Sequence, residues 1–312
     1  MSIDQIPGVG EKTAEKLRDA GYHDLMALAT APVSFLVDEC GLGEATARKI
    51  IQEARGKLNM GFGTAMDLLK KREAVGYITT CSKALDDLLG GKGVETQSIT
   101  EAAASFGSGK TQLGLQLAVN VTMPKERGGL DGIAVYIDNE NTFRPERIVQ
   151  IAKALKIDAK SALENIKVAR AYSSDHQMLL VEKIPDLIEK EKLNVKLIII
   201  DSLTGLFRAE YMGRGHLADR QQKLNKHLHD LQRMADRYNL AIFVTNQVMS
   251  RPDVFFGNPE AAIGGNIVAH ASTFRMIFRK SRGDKRVAKL IDSPNLPDGE
   301  AVFRVCEEGI RD

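Results

Sequence analysis

Cysteine is scarce. Cys40, Cys81 and Cys306 are the only three in 312 residues, far apart and without a Cys-x-x-Cys pair. That pattern argues against a disulfide framework and a zinc site, and fits a reducing compartment. Long apolar runs are also missing: no stretch reaches the roughly 18 residues a bilayer span needs. The N-terminal stretch is polar and glycine-bearing, unlike the apolar core of a signal peptide. The expectation is an intracellular chain with no membrane partner. Neither sign of charge dominates, since 43 Lys and Arg against 41 Asp and Glu leave +2. Bulk electrostatics therefore diagnose no nucleic-acid partner, and any such binding must come from local patches. Low complexity is confined to Ala102-Ala103-Ala104, and no internal repeat is visible beyond two glycine turns near the N-terminus. What is present is a globular composition, 43% hydrophobic and 27% charged. The length predicts one large domain plus a small one, or two of middling size.

The first 60 or so residues read as short helices joined by glycine turns, with Ala14, Leu17 and Ala20 at helical spacing. A charged helix over 45–57 gives way to a stretch where Gly61 and Gly63 interrupt the periodicity, and a flexible linker is expected there. From about residue 98 the pattern becomes short branched apolar runs, 133–137, 197–200 and 241–245, alternating with amphipathic helices. Such alternation predicts an α/β unit with a parallel sheet covered by helices. Leu224, Leu228, Leu231 and Ala235 give a helix over 218–239 one apolar packing face.

The most specific segment is Ala104-Ser105-Phe106-Gly107-Ser108-Gly109-Lys110-Thr111, between a strand candidate at 97–101 and a helix candidate at 111–121. It follows the nucleotide P-loop pattern with alanine in the first glycine slot. Glycines let successive N–H groups curl around phosphate oxygens, and the helix N-terminus adds partial positive charge. Lys110 then meets the β and γ phosphates, and Thr111 can ligate Mg²⁺. An alanine required to take a positive φ at 104 would be strained. A P-loop calls for an acid at the end of a neighbouring buried strand to hold Mg²⁺ through water, and Asp201 closes such a run. The strand at 133–137 leads to Glu140, the candidate base for an attacking water. Either acid alone reads as well as a helix N-cap or a solvated loop charge. Asn246 and Gln247 end the third buried strand as neutral groups suited to sensing a γ-phosphate. Residues 248–267 then form too long a connection to be ordinary. Arg208, Arg214 and Arg220 punctuate a glycine-bearing stretch that suits DNA phosphates, although solvated charge is the default on spacing alone. Near the N-terminus, Gly8 and Gly10 precede one helix and Gly41 and Gly43 another. This is either a helical hairpin offering N–H groups to DNA phosphate or a pair of capping turns. Phe62 is an orphan aromatic in a polar stretch, to be explained by packing on its own domain or by a partner.

In this order, the segments resemble the archaeal RadA recombinases of the RecA superfamily. The resemblance covers nearly the whole chain. It is carried by Pro7-Gly-Val-Gly10, Gly107-Ser-Gly-Lys-Thr111, Asn141-Thr-Phe-Arg-Pro-Glu-Arg147, Ala169-Arg-Ala-Tyr172, Gly213-Arg-Gly215, Arg220-Gln-Gln-Lys223, Val244-Thr-Asn-Gln247 and Asp292-Ser-Pro294. It implies a RecA-like P-loop ATPase core with a parallel-rich twisted sheet over 73–312. Before it come a helix-hairpin-helix DNA-binding domain over 1–58 and a linker over 59–72 carrying a Phe62-x-x-Ala65 polymerisation motif. The implied activity is ATP-dependent homologous pairing and strand exchange in filaments on single-stranded DNA. The implied partners are single- and double-stranded DNA, further copies of itself and recombination mediators, in the cytoplasm at the nucleoid. By position, Phe106, Gly107, Ser108, Gly109, Lys110 and Thr111 become the phosphate loop, Glu140 the base and Gln247 the γ-phosphate sensor. Arg147 stacks on adenine. Arg208, Arg214 and Arg220 fall at the first DNA loop, and Arg251, Gly264 and Gly265 at the second. Asp292 and Pro297 cap the ATP of the neighbouring protomer, with a monovalent cation, K⁺, at Asp292. One alternative stays open: a paralogue that binds DNA or a recombinase, does not exchange strands and turns ATP over weakly. A metabolic kinase explains neither the helical hairpin nor the arginine loops.

Overall fold

The computed structural model describes residues 3–22, 24–58, 61–250 and 260–312. They divide into two compact units, Met1–Glu73 and Ala74–Asp312.

The N-terminal unit is helical. Helices Glu11–Asp19, Leu25–Thr30, Val33–Asp38 and Glu44–Lys57 bury Leu17, Leu28, Leu36 and Ile50 in one cluster. Gly8 (φ 90°) and Gly41 (φ 61°) make the left-handed turns that lead into the first and last of these. Both helices are N-capped by glycine, Gly10 and Gly43, with no side chain closing the cap. Their first-turn N–H groups are thus left to solvent or an outside acceptor. The segment expected to be a flexible linker holds a helix over Ala65–Arg72. Its cause is local: Thr64 Oγ1 accepts from Asp67 N at 3.1 Å, and Asp67 Oδ2 accepts from Thr64 N at 2.9 Å. This reciprocal cap, with Lys70, Lys71 and Arg72 at the negative end of the helix dipole, offsets the lack of any buried residue.

Among its described residues the second unit has twelve strands: β1 Tyr77–Ile78, β2 Val94–Glu95, β3 Ser98–Ala104, β4 Ile133–Asp138, β5 Ile166–Arg170, β6 Val195–Asp201, β7 Ala241–Ser250, β8 Glu260–Ala262, β9 Phe274–Lys280, β10 Lys285–Asp292, β11 Gly299–Cys306 and β12 Gly309–Arg311. β1 and β2 pair alone. The main sheet runs β12-β11-β10-β9-β3-β7-β6-β4-β5, with β8 paired to β7. From β9 to β5 neighbours are parallel, and the β10–β12 edge is antiparallel. Side chains alternate across the sheet as a period of two demands. Leu197, Ile199 and Phe243 enter the cluster under helix Lys110–Asn120, while Ile198, Ile200, Ile242 and Val244 enter the one under helix Leu217–Tyr238.

Three expectations need correction. The strand ending in Asp201 does not neighbour the P-loop strand, because β7 lies between β3 and β6. Ala104 takes no positive φ: it is the last residue of β3, fully buried and paired with Gln247 and Phe278, and the left-handed turns fall on Gly107 (φ 73°) and Gly109 (φ 100°). The stretch 248–267 is not one loop, since β7 runs to Ser250, β8 returns antiparallel to it, and a helix begins at Gly265.

Candidate functional site

The site gathers at the C-terminal ends of β3, β4, β6 and β7, where a parallel sheet leaves its crevice. β3 ends at Ala104 and the loop 105–109 leads straight into helix Lys110–Asn120. Gly107 and Gly109 are needed for their backbone conformation, with close side-chain neighbours a lesser constraint. Each has a positive φ, and a Cβ at Gly107 would come within 2.8 Å of Lys280 Nζ, one at Gly109 within 3.2 Å of Val305. Ser108 is buried, whereas the Phe106 ring stands in solvent at the loop apex. Lys110 Nζ folds back onto the loop's own carbonyls, donating to Ala104 O at 2.9 Å and Ser105 O at 3.1 Å. Burial lowers its pKa from the ordinary lysine value, with the Asp201 and Glu140 carboxylates pulling the other way. A half-buried ammonium on two neutral carbonyls, beneath uncapped helix N–H groups, is suited to an incoming phosphate.

Asp201 ends β6 with 2% of its surface exposed. Tyr136 OH donates to its Oδ2 at 2.8 Å, and Thr245 Oγ1 donates to Oδ1. Burial raises its pKa and Glu140 adds to this, while hydrogen bonds from Thr245, Thr111 and Tyr136 oppose the rise. Thr111 and Asp201 therefore meet as the P-loop argument requires, across the intervening strand. Among the described residues no group of three or more His, Cys, Asp or Glu could hold a metal ion. A Mg²⁺ ion on Thr111 and Asp201 would complete its shell with phosphate oxygens and water. The half-buried Thr111 hydroxyl and the buried Asp201 carboxylate fit it.

Glu140 lies beyond β4, on a turn shaped by Asp138, whose carboxylate accepts from the backbone N–H groups of Glu140, Thr142 and Phe143. Glu140 Oε1 accepts from Ser202 Oγ at 2.9 Å and from Gln247 Nε2 at 3.1 Å. Gln247 Oε1 in turn accepts from Arg208 Nη1 at 3.0 Å. The candidate base, sensor and first-loop arginine thus form one chain of contacts. Asn246 does not share the sensor's position: it is fully buried and faces Glu101. Arg147 donates in its plane to Gln112, Gln150 and the carbonyls of Cys306 and Glu307.

Arg208 is exposed on helix Gly205–Glu210, and Arg220 lies in the first turn of helix Leu217–Tyr238; the backbone of Arg214 begins a 3-10 turn between them. Gly264 (φ 101°) and Gly265 (φ 60°) open the helix after β8, and a Cβ on Gly264 would strike Val268 at 2.3 Å. Arg251 lies outside the described residues. Asp292, the last residue of β10, and Pro297, in the loop after it, are exposed. β10 runs antiparallel to β9, so Asp292 pairs with Arg275, which pairs with Glu101 midway along β3. Asp292 therefore sits roughly 10 Å down the strands and two strands across from the P-loop, away from the crevice. Sequence reasoning missed Lys280 beside Gly107, the Asp201 partners Tyr136 and Thr245, and the Glu101–Arg275 pair. Only Thr245, two residues before Gln247, carried a signal.

A phosphate loop, a buried acid two strands away and a carboxylate held by a glutamine on the strand between define a RecA-like P-loop ATPase core. A family model described as Rad51 matches residues 71–312, and one described as a SAM-like helix-hairpin-helix tandem matches residues 2–57. The chain belongs to the Rad51 family. It is a RecA-type recombinase by family, ATP-dependent with Mg²⁺, and both domains are of DNA-binding families. No helix among the described residues is long and apolar enough to cross a membrane.

Proposed function

We propose that this protein is a strand-exchange recombinase of the archaeal RadA type that assembles head to tail on single-stranded DNA and hydrolyses ATP at the junctions between its copies. The observation that carries the reading is the placement of Asp292. Asp292, two strands across and roughly 10 Å down the strands from the P-loop, would cap a nucleotide only if a second copy brings one to it. Lys110, Thr111 and Asp201 would hold the phosphates and Mg²⁺, which supplies positive charge where negative charge develops. Glu140 takes the proton of the attacking water, and Gln247 orients Glu140. Arg147, its in-plane donors engaged, offers a flat face to adenine. Asp292, with K⁺, and Pro297 cap the neighbour's nucleotide.

Assembly follows from two surfaces. β5 is a free sheet edge, with Val168 and Tyr172 exposed beside it, and Phe62 is fully exposed. Phe62 and Ala65 of one copy dock on β5 of the next, where main-chain pairing supplies affinity and the Phe ring specificity; mediators use the same edge. Arg208, Arg214, Arg220, Arg251 and the Gly264-Gly265 turn face single-stranded DNA, while Gly8 and Gly10 offer N–H groups to duplex phosphates. The site of action is the cytoplasm, at the nucleoid. The test is ATPase rate with and without single-stranded DNA, alongside D-loop formation. DNA-stimulated hydrolysis with D-loops is the expected result. DNA binding with weak turnover and no D-loops would instead make the protein a non-exchanging paralogue.

A further inference from the structure

Between the nucleotide site and the two arginine loops lies a buried polar cluster with no part in the chemistry above. Asn246 is fully buried on β7, and its amide is saturated. Its Oδ1 accepts from Gln247 N at 2.9 Å and from Thr204 Oγ1 at 2.7 Å. Its Nδ2 donates to Ile263 O at 2.6 Å and to Glu101 Oε1 at 2.7 Å. The orientation is fixed, because a backbone N–H can only donate and a backbone carbonyl can only accept. Glu101, 1% exposed, is held from its other side by Arg275 Nε at 2.8 Å. The four partners belong to four different parts of the machine. Glu101 is on the P-loop strand, and Gln247 is the sensor. Thr204 caps the helix that carries Arg208, and Ile263 immediately precedes Gly264-Gly265.

We infer that Asn246, braced by Glu101 and Arg275, is a positioning residue that locks the γ-phosphate sensor and the bases of both DNA loops into one register, so that contact with DNA is felt at the ATPase site. The inference rests on the functional reading above. A four-way saturated amide allows no part to shift alone without leaving a buried polar group unpaired, which couples the parts.

The reciprocal exchange tests it. Asn246→Asp keeps the shape and both Oδ1 contacts but turns the Nδ2 side into a carboxylate facing Glu101. Glu101→Gln combined with Asn246→Asp restores a donor between the two, the net charge of the cluster and an acceptor for Arg275, leaving Ile263 O as the one partner without its donor. Wild type and both variants are assayed for binding of a fluorescent ATP analogue, thermal melting, and the factor by which single-stranded DNA stimulates ATPase. The expected result is analogue binding retained in Asn246→Asp, stimulation lowered about tenfold, equivalent to about 1.4 kcal/mol of lost coupling, and stimulation regained in part in the double variant. Wild-type stimulation in Asn246→Asp overturns the inference. So does loss of analogue binding in step with stimulation, which marks a purely structural role. If Asn246→Asp does not fold, the double variant decides: folding with stimulation supports the inference, while folding without it, or failure to fold, overturns it. Absence of DNA stimulation in the wild type overturns the functional reading itself, a different outcome from a normal wild type with an unaffected variant.

Discussion

His227 should make the ATPase unit lose stability as pH falls through the weakly acidic range. It is 1% exposed on helix Leu217–Tyr238, beside Phe207. Its tautomer follows from neighbours anchored on backbone. Asn139 Nδ2 donates to Ser202 O and to Gln177 Oε1, so Gln177 Nε2 is the donor toward Leu203 O and His227 Nε2. The imidazole Nε2 is therefore an acceptor, and protonation there would aim one N–H at another. Burial, reinforced by Lys226, lowers the His227 pKa to about 4. Between the unfolded value of about 6.5 and this folded value, the unfolded chain binds a proton that the folded protein refuses, so stability rises with pH. The contribution is complete above about pH 6.5 and declines toward pH 4, where the loss relative to neutral pH is about 3 kcal/mol at roughly 1.4 kcal/mol per pKa unit. His227→Gln supplies a non-titrating acceptor at the same point. Urea unfolding followed by circular dichroism at several pH values would show wild type losing about 3 kcal/mol more than His227→Gln between pH 7 and 4. Parallel curves for the two proteins, or an imidazole NMR titration in the folded protein with a midpoint near 6.5, would refute the argument.

Lys110→Ala should weaken ATP binding by more than about tenfold, because it removes the ammonium held on the loop's own carbonyls at the start of the helix; calorimetry with wild-type affinity would misplace the phosphate site. Glu140→Gln should bind ATP and stall, its turnover down about 10²–10⁴-fold as expected for loss of a general base. Single replacement of Arg208, Arg214 or Arg220 by Ala should reduce the slope of log affinity against log salt by about 0.7 per lost single-strand phosphate contact, uniformly across sequences. Phe62→Glu should forfeit about 2–3 kcal/mol of apolar burial per junction and give monomers by mass photometry, while wild-type assemblies in the variant would leave the segment as a tether only.

Much of the core was legible because its signals are local. The strands holding Asp201 and Gln247 show as short branched apolar runs, and Lys110 and Thr111 come in one contiguous string before a helix. The helix over Ala65–Arg72 was equally legible in principle, since Thr64 and Asp67 stand at capping-box spacing, but Gly61 and Gly63 drew attention to flexibility instead. Ala104 was misjudged for a related reason. The pattern fixes which residue fills the first glycine slot but not where β3 ends, and a strand that continues through 104 needs a small side chain there rather than a left-handed one.

Strand order was not legible, because the insertion of β7 between β3 and β6 is decided by pairing among segments far apart in the chain. Its consequence reaches the chemistry. With β7 interposed, the strand bearing the sensor is the one that touches both the P-loop strand and the strand of Asp201, so Thr245 can hold Asp201 from one side while Asn246 holds Glu101 from the other. Glu101 and Arg275 are 174 residues apart and carry no mutual pattern in sequence. A buried carboxylate beneath a phosphate-binding loop would oppose the ligand unless neutralised. Arg275 opposite Glu101 on β9 meets that need, and the Asn246 amide does so from β7 without adding charge. The same register that puts Arg275 beside Glu101 puts Asp292 beside Arg275. The strand pairing that shields the P-loop from its own acid thus also sets Asp292 roughly 10 Å down the strands from the loop, the placement on which the proposed sharing of a nucleotide between two copies rests.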